Sequence, residues 1–402
     1  MTIIQEDQSV SLSVSQRVQR VKPSPTLAVT ALAAELRAQG RNVIGLGAGE
    51  PDFDTPEHIK AAAIKAIENG QTKYTAVDGT AELKQAIINK FQRDNSLEYA
   101  PDQILVSSGA KQTCYNVCSA ILNPGDETII PAPYWVSYPE MVKLADGEPV
   151  IVSAGIKDGF KITPRALAAA ITDRTKLMFL NSPSNPTGAA YSRAELVALG
   201  EVLLDHPDIV IATDDMYEHI YWADEPFTSL ADACPGLYDR TVTINGVSKC
   251  YAMTGWRIGY CGGPSYIIKA MKKIQGQSTS NACSIAQAAS VEALNGDQSC
   301  IAEMTTAFKE RHDYVIAALN DINGVNCAPG DGTFYAFPNV AEVIKAKGLA
   351  DDTALSELLL NEAEVALVPG SAFGAPGYIR LSFATDMDTL KEAIGRIARI
   401  LG

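Results

Sequence analysis

Lys249 stands where a lysine is chemically conspicuous. It follows the apolar run Thr241–Asn245 and lies in Gly246-Val247-Ser248-Lys249-Cys250-Tyr251-Ala252-Met253, a stretch with no other charge. A lysine desolvated in such a setting has a lowered amine pKa and becomes a nucleophile toward carbonyls. Asp214 ends a second apolar run, Ile209–Thr213, where a carboxylate is costly unless a cation or a donor meets it. Tyr217, three residues on, enters the same site if the chain turns helically there. After Ile104–Ser107 comes Ser108-Gly109-Ala110-Lys111, small residues whose N–H groups at a helix start suit a phosphate. Arg257, in Gly255-Trp256-Arg257, adds a cation, and Trp135 in Pro133-Tyr134-Trp135 adds a ring. An amine for an aldehyde, an acid for a ring nitrogen, a phosphate cup and an aromatic lid are the requirements of pyridoxal 5′-phosphate. Lys249, Asp214, Ser108–Ala110 with Arg257, and Trp135 supply them.

These groups need elements that bring them to one edge. Apolar runs at Ile104–Ser107, Thr128–Pro131, Leu177–Leu180, Ile209–Thr213, Thr241–Asn245 and Ile258–Cys261 read as strands. Helical patterns at Lys111–Leu122, Arg193–Leu204 and Tyr266–Gln275 alternate with several of them. That alternation predicts an α/β fold with a mostly parallel sheet sandwiched by helices, and ligands beyond the carboxyl ends of the strands. Leu177–Leu180 runs into Asn181-Ser182-Pro183-Ser184-Asn185-Pro186-Thr187-Gly188, a loop stiffened by two prolines that offers the Asn185 carboxamide to the crevice. The chain ends read differently. A helix over Thr26–Gln39, a long helical pattern from about Cys300 to Leu319, strands at Thr333–Phe337 and Tyr378–Phe383, and helices over Asp352–Ala363 and Asp388–Leu401 predict a smaller α+β domain. The expected division is an N-terminal arm and part of the small domain over 1–48, a large domain over 49–300 and the small C-terminal domain over 301–402.

Composition narrows the function classes. A chain of 402 residues exceeds what one core usually organises. Its net charge of −14 opposes binding to a phosphate backbone, so no nucleic-acid partner is expected. No apolar stretch approaches a bilayer span, and the early residues Glu6, Asp7, Arg17 and Arg20 do not compose a leader, which together predict a cytoplasmic protein without membrane contact. The eight cysteines form no CxxC pair and the four histidines no ligand spacing, so neither a disulfide framework nor a metal is expected. Gly45-Leu46-Gly47-Ala48-Gly49 mimics a dinucleotide loop. Glu50-Pro51-Asp52-Phe53-Asp54-Thr55-Pro56 comes directly after it, however, and two prolines with several acids cannot open the helix such a loop needs.

With these residues in view, the chain resembles the class I, fold-type I pyridoxal-phosphate aminotransferases of the bacterial aspartate aminotransferase subgroup. The matching segments run from Val21-Lys22-Pro23-Ser24 through Gly49-Glu50-Pro51-Asp52-Phe53, Lys73-Tyr74, Pro133–Pro139, Asn185-Pro186-Thr187-Gly188, Asp214–Tyr217, Ser248-Lys249 and Gly255-Trp256-Arg257 to Tyr378-Ile379-Arg380-Leu381-Ser382. The resemblance implies a cofactor bonded to Lys249, whose amine, once released, moves the substrate proton. It implies Asp214 on the ring nitrogen, Tyr217 and Asn185 on the phenolic oxygen, and Trp135 stacked on the ring. The phosphate would be held by Ser108, Gly109, Ala110 and Arg257, joined by Tyr74 from a second subunit, so a homodimer with shared sites is expected. Arg380, with Asn185 and the Gly49 backbone, would clamp the substrate α-carboxylate, and Lys111 would reach a distal carboxylate beside Trp135. Many relatives carry Ser three residues before the cofactor lysine. Gly246 stands there in this chain, so the cup is expected to lean on Lys111 or backbone groups. The implied reaction moves the amino group of L-aspartate to 2-oxoglutarate by a ping-pong cycle. The alternatives are a prephenate or aromatic aminotransferase with a pocket lined by Tyr335, Phe334 and Tyr138, and a carbon–sulfur lyase on the same fold.

Overall fold

The computed structural model describes residues 14–402; Glu6 and Asp7 lie outside them. Helix Pro25–Ala38 starts on a Ser24 cap with proline at its first position, where the missing N–H costs nothing. It leads into a short strand, β1 (Ile44–Gly45). A seven-stranded sheet then forms from β2 (Ile104–Ser107), β3 (Glu127–Ala132), β4 (Glu148–Ser153), β5 (Thr175–Asn181), β6 (Val210–Asp214), β7 (Thr241–Gly246) and β8 (Gly259–Gly262), in the spatial order β2-β8-β7-β6-β5-β3-β4. Strands β2, β6, β7 and β8 are buried along their whole length, the signature of a sheet covered on both faces. Helices Ala110–Ile121 and Ser265–Gly276 pack on each other on one side, where Val117, Cys118, Ile267 and Met271 meet Leu105, Leu177 and Ile244. Helix Arg193–Leu204, fixed at its start by a Ser192–Glu195 capping box, packs on the other.

The sheet is mostly parallel, as the alternation predicts, and strand β8 is its reversed member. It runs antiparallel to both β2 and β7, while the pairs β3–β4, β3–β5, β5–β6 and β6–β7 are parallel. The reversal has a functional consequence. Strands β2, β3, β5, β6 and β7 carry the loops at their carboxyl ends to one edge. Strand β8 begins at that same edge, so Arg257, just ahead of it, arrives there too.

A smaller layer covers that edge. Strand β1 pairs in parallel with β10 (Val365–Ala366), which comes after β9 (Tyr335–Ala336) in the chain; β11 (Val368–Pro369) and β9 flank β12 (Ile379–Ser382) antiparallel. Helices Ser299–Asn320 and Met387–Leu401 close over these strands, with Phe308, Val315, Leu319, Leu390, Ile394 and Ile397 in one core with Phe334 and Leu381. In the last helix Leu390, Ile394, Ile397 and Leu401 recur at helical spacing, and each buried aliphatic side chain contributes at most about 1.5–3 kcal/mol. The pattern at Asp352–Ala363 is helical to Leu358 and then widens into a π turn over Leu359–Ala363. Helices Glu57–Glu68, Ala81–Asn95 and Ser284–Asn295, and the edge strand β4, are additions to the elements read from the sequence. Between β1 and Glu57 the chain is irregular, so Gly45–Gly49 opens no helix.

Candidate active site

Lys249 comes three residues after β7, in a turn whose neighbours Val247, Cys250 and Tyr251 are buried. Its Nζ donates to the Gly49 carbonyl at 2.5 Å and lies 5.9 Å from the Tyr217 ring and 5.7 Å from the Phe334 ring. Burial is the largest influence on this amine and brings its pKa down to about 8; Glu50 opposes the fall, and Arg380 and Arg257 add to it. An amine brought down to about 8 in a half-buried crevice has a far larger neutral, nucleophilic fraction at physiological pH than an ordinary lysine.

Asp214, the last residue of β6, is 6% exposed. The Tyr138 hydroxyl donates to its Oδ2 at 2.6 Å, and the Met216 N–H approaches its Oδ1 at 3.3 Å. Burial raises its pKa, while Tyr138, Met216 and Lys249 pull the other way. A carboxylate kept on the floor of a crevice, with one flank tied by a tyrosine, is suited to hold a proton on a ring nitrogen. Asn181 ties two strand ends together. Its Nδ2 donates to the Asp214 carbonyl at 2.7 Å and its Oδ1 accepts from the Asn185 N–H at 2.8 Å.

The anion cradle is built where helix Ala110–Ile121 leaves β2. Gly109 has φ +86°, and a Cβ there would collide with the Arg257 guanidinium, so only glycine lets the arginine lie across the turn. Arg257 itself adopts the left-handed region (φ +57°), with Nη1 donating to the Thr254 carbonyl at 2.9 Å, and among the described residues it has no carboxylate partner. The backbone amides of Ser108 and Gly109 are already engaged, by Gln112 Oε1 at 2.6 Å and Ser107 O at 2.8 Å. The free backbone donor of the Ser108–Ala110 trio is therefore Ala110 at the helix start, beside the Ser108 hydroxyl. Gly246 is not an open vacancy for a missing hydroxyl. A Cβ there would meet Met216 Cε at 2.9 Å and the Ile258 carbonyl at 3.0 Å.

Arg380 lies on β12, 2% exposed, with Nη1 donating to Asn185 Oδ1 at 2.9 Å and Nη2 to the Gly47 carbonyl at 2.6 Å. Its guanidinium carbon is 4.4 Å from the Tyr335 ring centroid and 4.8 Å from that of Phe373. Nε has no partner, and no carboxylate neutralises the charge among the described residues. Burial lowers its pKa without approaching neutrality for an arginine. A buried cation with a spare donor calls for an anionic ligand. Lys111, on the first turn of its helix, holds Nζ 5.0 Å from the Trp135 ring, and desolvation followed by Arg257 lowers its pKa. All these groups border one cavity of about 450 Å³, which Gly49, Ala110, Lys111, Trp135, Asn185, Asp214, Tyr217, Lys249, Arg257 and Arg380 line.

Ser108 and Gly109 lie just behind that lining, whereas Tyr74 does not come to it: its side chain is 92% exposed on the chain's own surface. Two residues enter with roles the sequence did not suggest. Tyr138 is the donor behind Asp214 and does not line the cavity that Lys249 borders, and Phe334 is buried against Phe308. Tyr335 does line the cavity, and its hydroxyl is 3.0 Å from that of Tyr217. The donor set fits pyridoxal 5′-phosphate. Lys249 would hold it through its amine, Asp214 would meet its ring nitrogen, Tyr217 its ring oxygen, and Ala110, Ser108 and Arg257 its phosphate.

Comparison with known proteins gives a consistent result. The family model for aminotransferase class I and II matches residues 41–397. An aspartate/prephenate aminotransferase of Nitrosomonas europaea is 60% identical over 396 residues, covering 97% of this chain and all of that one. An aspartate aminotransferase of Rhizobium meliloti is 50% identical over 403 residues, with 99% and 98% coverage. The crystal structure of the aspartate aminotransferase from Rhizobium meliloti superposes with a TM-score of 0.93 over 97% of this chain and 99% of that one, at 50% identity. A Thermus thermophilus aspartate aminotransferase with maleate gives a TM-score of 0.92 over 97% and 100%, at 42% identity.

Proposed function

This chain belongs to the class I and II aminotransferase family, a pyridoxal-phosphate enzyme, and we propose that it moves the amino group of L-aspartate to 2-oxoglutarate, giving oxaloacetate and L-glutamate in a ping-pong cycle. The observation that carries the substrate assignment is the pair of cations on one cavity, Arg380 and Lys111, neither with a carboxylate partner among the described residues. One carboxylate of a dicarboxylic amino acid suits each. The names of the relatives support the same class, as does the maleate, a dicarboxylate, of the Thermus thermophilus structure.

The residue roles follow from chemistry. The cofactor, when bound, supplies an electron sink for the negative charge that develops at the substrate Cα. Arg380, preset by Asn185 and the Gly47 carbonyl, orients the α-carboxylate bidentately. Lys249, its amine about half deprotonated at pH 8, would take the proton from Cα and return it on the other side of the exchange. Asp214, backed by Tyr138, would hold the proton on the ring nitrogen, Tyr217 would donate to the ring oxygen, and Trp135 would cover the ring and keep water away. We propose a large domain over 49–300, an N-terminal arm and part of the small domain within 1–48, and the small C-terminal domain over 301–402. Tyr74, a tyrosine left 92% exposed, would serve the site of a second subunit in a homodimer. The acidic charge, and the fact that among the described residues no helix is long and apolar enough to cross a membrane, support a cytoplasmic location.

Prephenate, a dicarboxylate bearing a ring, is a second acceptor that the name of the Nitrosomonas europaea relative favours, and the Tyr335 ring on the cavity wall supports it. The test offers purified enzyme each amino donor with 2-oxoglutarate and, separately, prephenate with an aspartate donor. Aspartate is expected to be the best donor; alanine or an aromatic amino acid outperforming it would overturn the dicarboxylate assignment. Borohydride treatment and peptide mapping are expected to find a pyridoxyl group on Lys249, and Lys249→Ala to fold without turnover. An unmodified Lys249 would sink the chemistry altogether.

A further inference from the structure

Tyr335 sits where three parts of the site meet. Its hydroxyl is 3.0 Å from the Tyr217 hydroxyl. Its ring lies 4.4 Å from the Arg380 guanidinium carbon, and its side chain is 1% exposed. The hydroxyl is also pressed against Gly49, where a Cβ would collide with it; the Gly49 carbonyl is the acceptor for Lys249. Tyr335 thus touches the carboxylate clamp, the Tyr217 hydroxyl and the segment that holds the lysine.

We propose that Tyr335 is a positioning residue that couples occupation of the Arg380 clamp to the strength of the Tyr217 hydrogen bond, an inference that rests on the aminotransferase reading above. Tyr217 can use its hydrogen for only one partner. When that hydrogen points at the cofactor's ring oxygen, the Tyr217 oxygen accepts from Tyr335. A hydroxyl that accepts is a better donor, because hydrogen bonds in a chain polarise one another. The Arg380 cation over the Tyr335 ring withdraws charge and makes the Tyr335 hydroxyl more acidic, in keeping with the downward influence of Arg380 on its pKa against the upward push of burial. A substrate carboxylate arriving at Arg380 cancels that charge and weakens the Tyr335 donation. Tyr217 then holds the ring oxygen less firmly. Substrate binding is thereby read at the cofactor through two hydroxyls.

The test is a pH titration of the bound cofactor's visible absorbance in the holoenzyme, with and without succinate, a dicarboxylate that lacks the reacting amine. In the native enzyme succinate is expected to raise the midpoint, since negative charge left on the ring oxygen holds a proton at the adjoining nitrogen more tightly. Tyr335→Phe keeps the ring over Arg380 and removes only the hydroxyl. It should raise the midpoint without succinate by roughly half a unit, halve the succinate-induced rise, and lower kcat for aspartate about fivefold, as expected for one lost neutral hydrogen bond, with KM within twofold. Incorporating 3-fluorotyrosine at position 335, which acidifies the hydroxyl, should move the midpoint the opposite way and covers the case in which the phenylalanine variant does not fold. Midpoints that match the native enzyme in both variants, with and without succinate, overturn the coupling whatever the turnover. A native protein with no visible-absorbing cofactor would instead overturn the aminotransferase reading itself.

Discussion

Behind the cofactor-facing turn lies a buried ion pair whose disruption has a calculable cost. Lys90, 1% exposed on helix Ala81–Asn95, pairs with Glu218, the residue after Tyr217, and donates to Asn95 Oδ1 at 2.7 Å. The Glu218 carboxylate also accepts from Asn95 Nδ2 at 2.6 Å and from Asn245 Nδ2 at 2.8 Å, so it ties the Asp214–Tyr217 turn to the end of β7 and hence to the Lys249 segment. Burial alone would raise the Glu218 pKa, but Lys90, His219 and Asn95 outweigh it and hold it below the ordinary range. Glu218→Gln preserves shape but keeps a single acceptor oxygen for the Asn95, Asn245 and Lys90 donors, and it leaves the buried ammonium only the Asp94 carboxylate, 3.9 Å away. Breaking one side of a buried pair costs about 3–5 kcal/mol. Lys90 can escape by losing its proton, which at pH 7.5 costs about 4 kcal/mol from a usual pKa near 10.4, so the two figures agree. For 402 residues the unfolding entropy is about 0.8 kcal/mol per kelvin, and the melting temperature should fall by about 4–6 °C. The sign of the pH dependence is fixed. Removing the carboxylate penalises the charged amine, so the loss is greatest at low pH and shrinks as pH rises toward the range in which a free lysine gives up its proton. Calorimetry of native and Glu218→Gln holoenzymes at pH 7.5 and 9.5 reads both effects. Adding Lys90→Met should restore most of the loss, because no charge is then stranded. A melting temperature within 1 °C of native, or a gap that stays constant between the two pH values, would refute the reasoning.

Arg380→Lys keeps the charge and loses the fork to Asn185 and Gly47, and kcat/KM for aspartate should drop by roughly 10²–10⁴, as two charge-assisted hydrogen bonds are worth. Lys111→Ser should raise the KM for aspartate about 10–100-fold while leaving alanine turnover within threefold, read from paired donor kinetics. Gly246→Ser, which installs a hydroxyl three residues before Lys249, should destabilise the fold by about 1–3 kcal/mol in thermal melts, because its Cβ would press on Met216 and the Ile258 carbonyl. In cofactor-free protein, the rate of pyridoxal-phosphate uptake should rise with pH through a midpoint about 8, where the Lys249 amine loses its proton, and not near 10.5.

The sequence was most legible where one strand could be read alone. Runs such as Ile104–Ser107 and Thr241–Gly246 are buried on both faces, so their composition marks them without any partner. Strand β4 is an edge strand with exposed residues along it, and its run Val150-Ile151-Val152, directly after Pro149, is short beside those of the central strands. Helices Glu57–Glu68 and Ser284–Asn295 bury mainly alanine, serine and glutamine against each other, a close-packed contact that leaves only a weak apolar stripe. The direction of β8 is set by which neighbours it pairs with, and a short apolar run carries no sign of it.

The site divides on the same line. Lys249, Asp214 and Asn185 each follow the carboxyl end of a recognisable strand, so the rule that ligands bind beyond those ends places them together before any contact is known, whereas Arg257 precedes β8 and joins them only because that strand is reversed. Tyr138 and Tyr335 have no such local mark. Tyr138 acts on Asp214 across 76 positions and Tyr335 on Tyr217 across 118, through hydroxyls whose meaning exists only once the two layers are packed. Gly246 shows why a motif departure is better judged in three dimensions. Read along the chain it is a missing donor, but in the fold it is the point where β7 and β8 come too close for a side chain, and the anion cradle rests instead on Ala110 and on an Arg257 that Gly109 makes room for. A side chain at 246 would press on Met216 Cε, the Ile258 carbonyl and Gly259 Cα together, so variants at Gly246 should change stability before they change phosphate affinity.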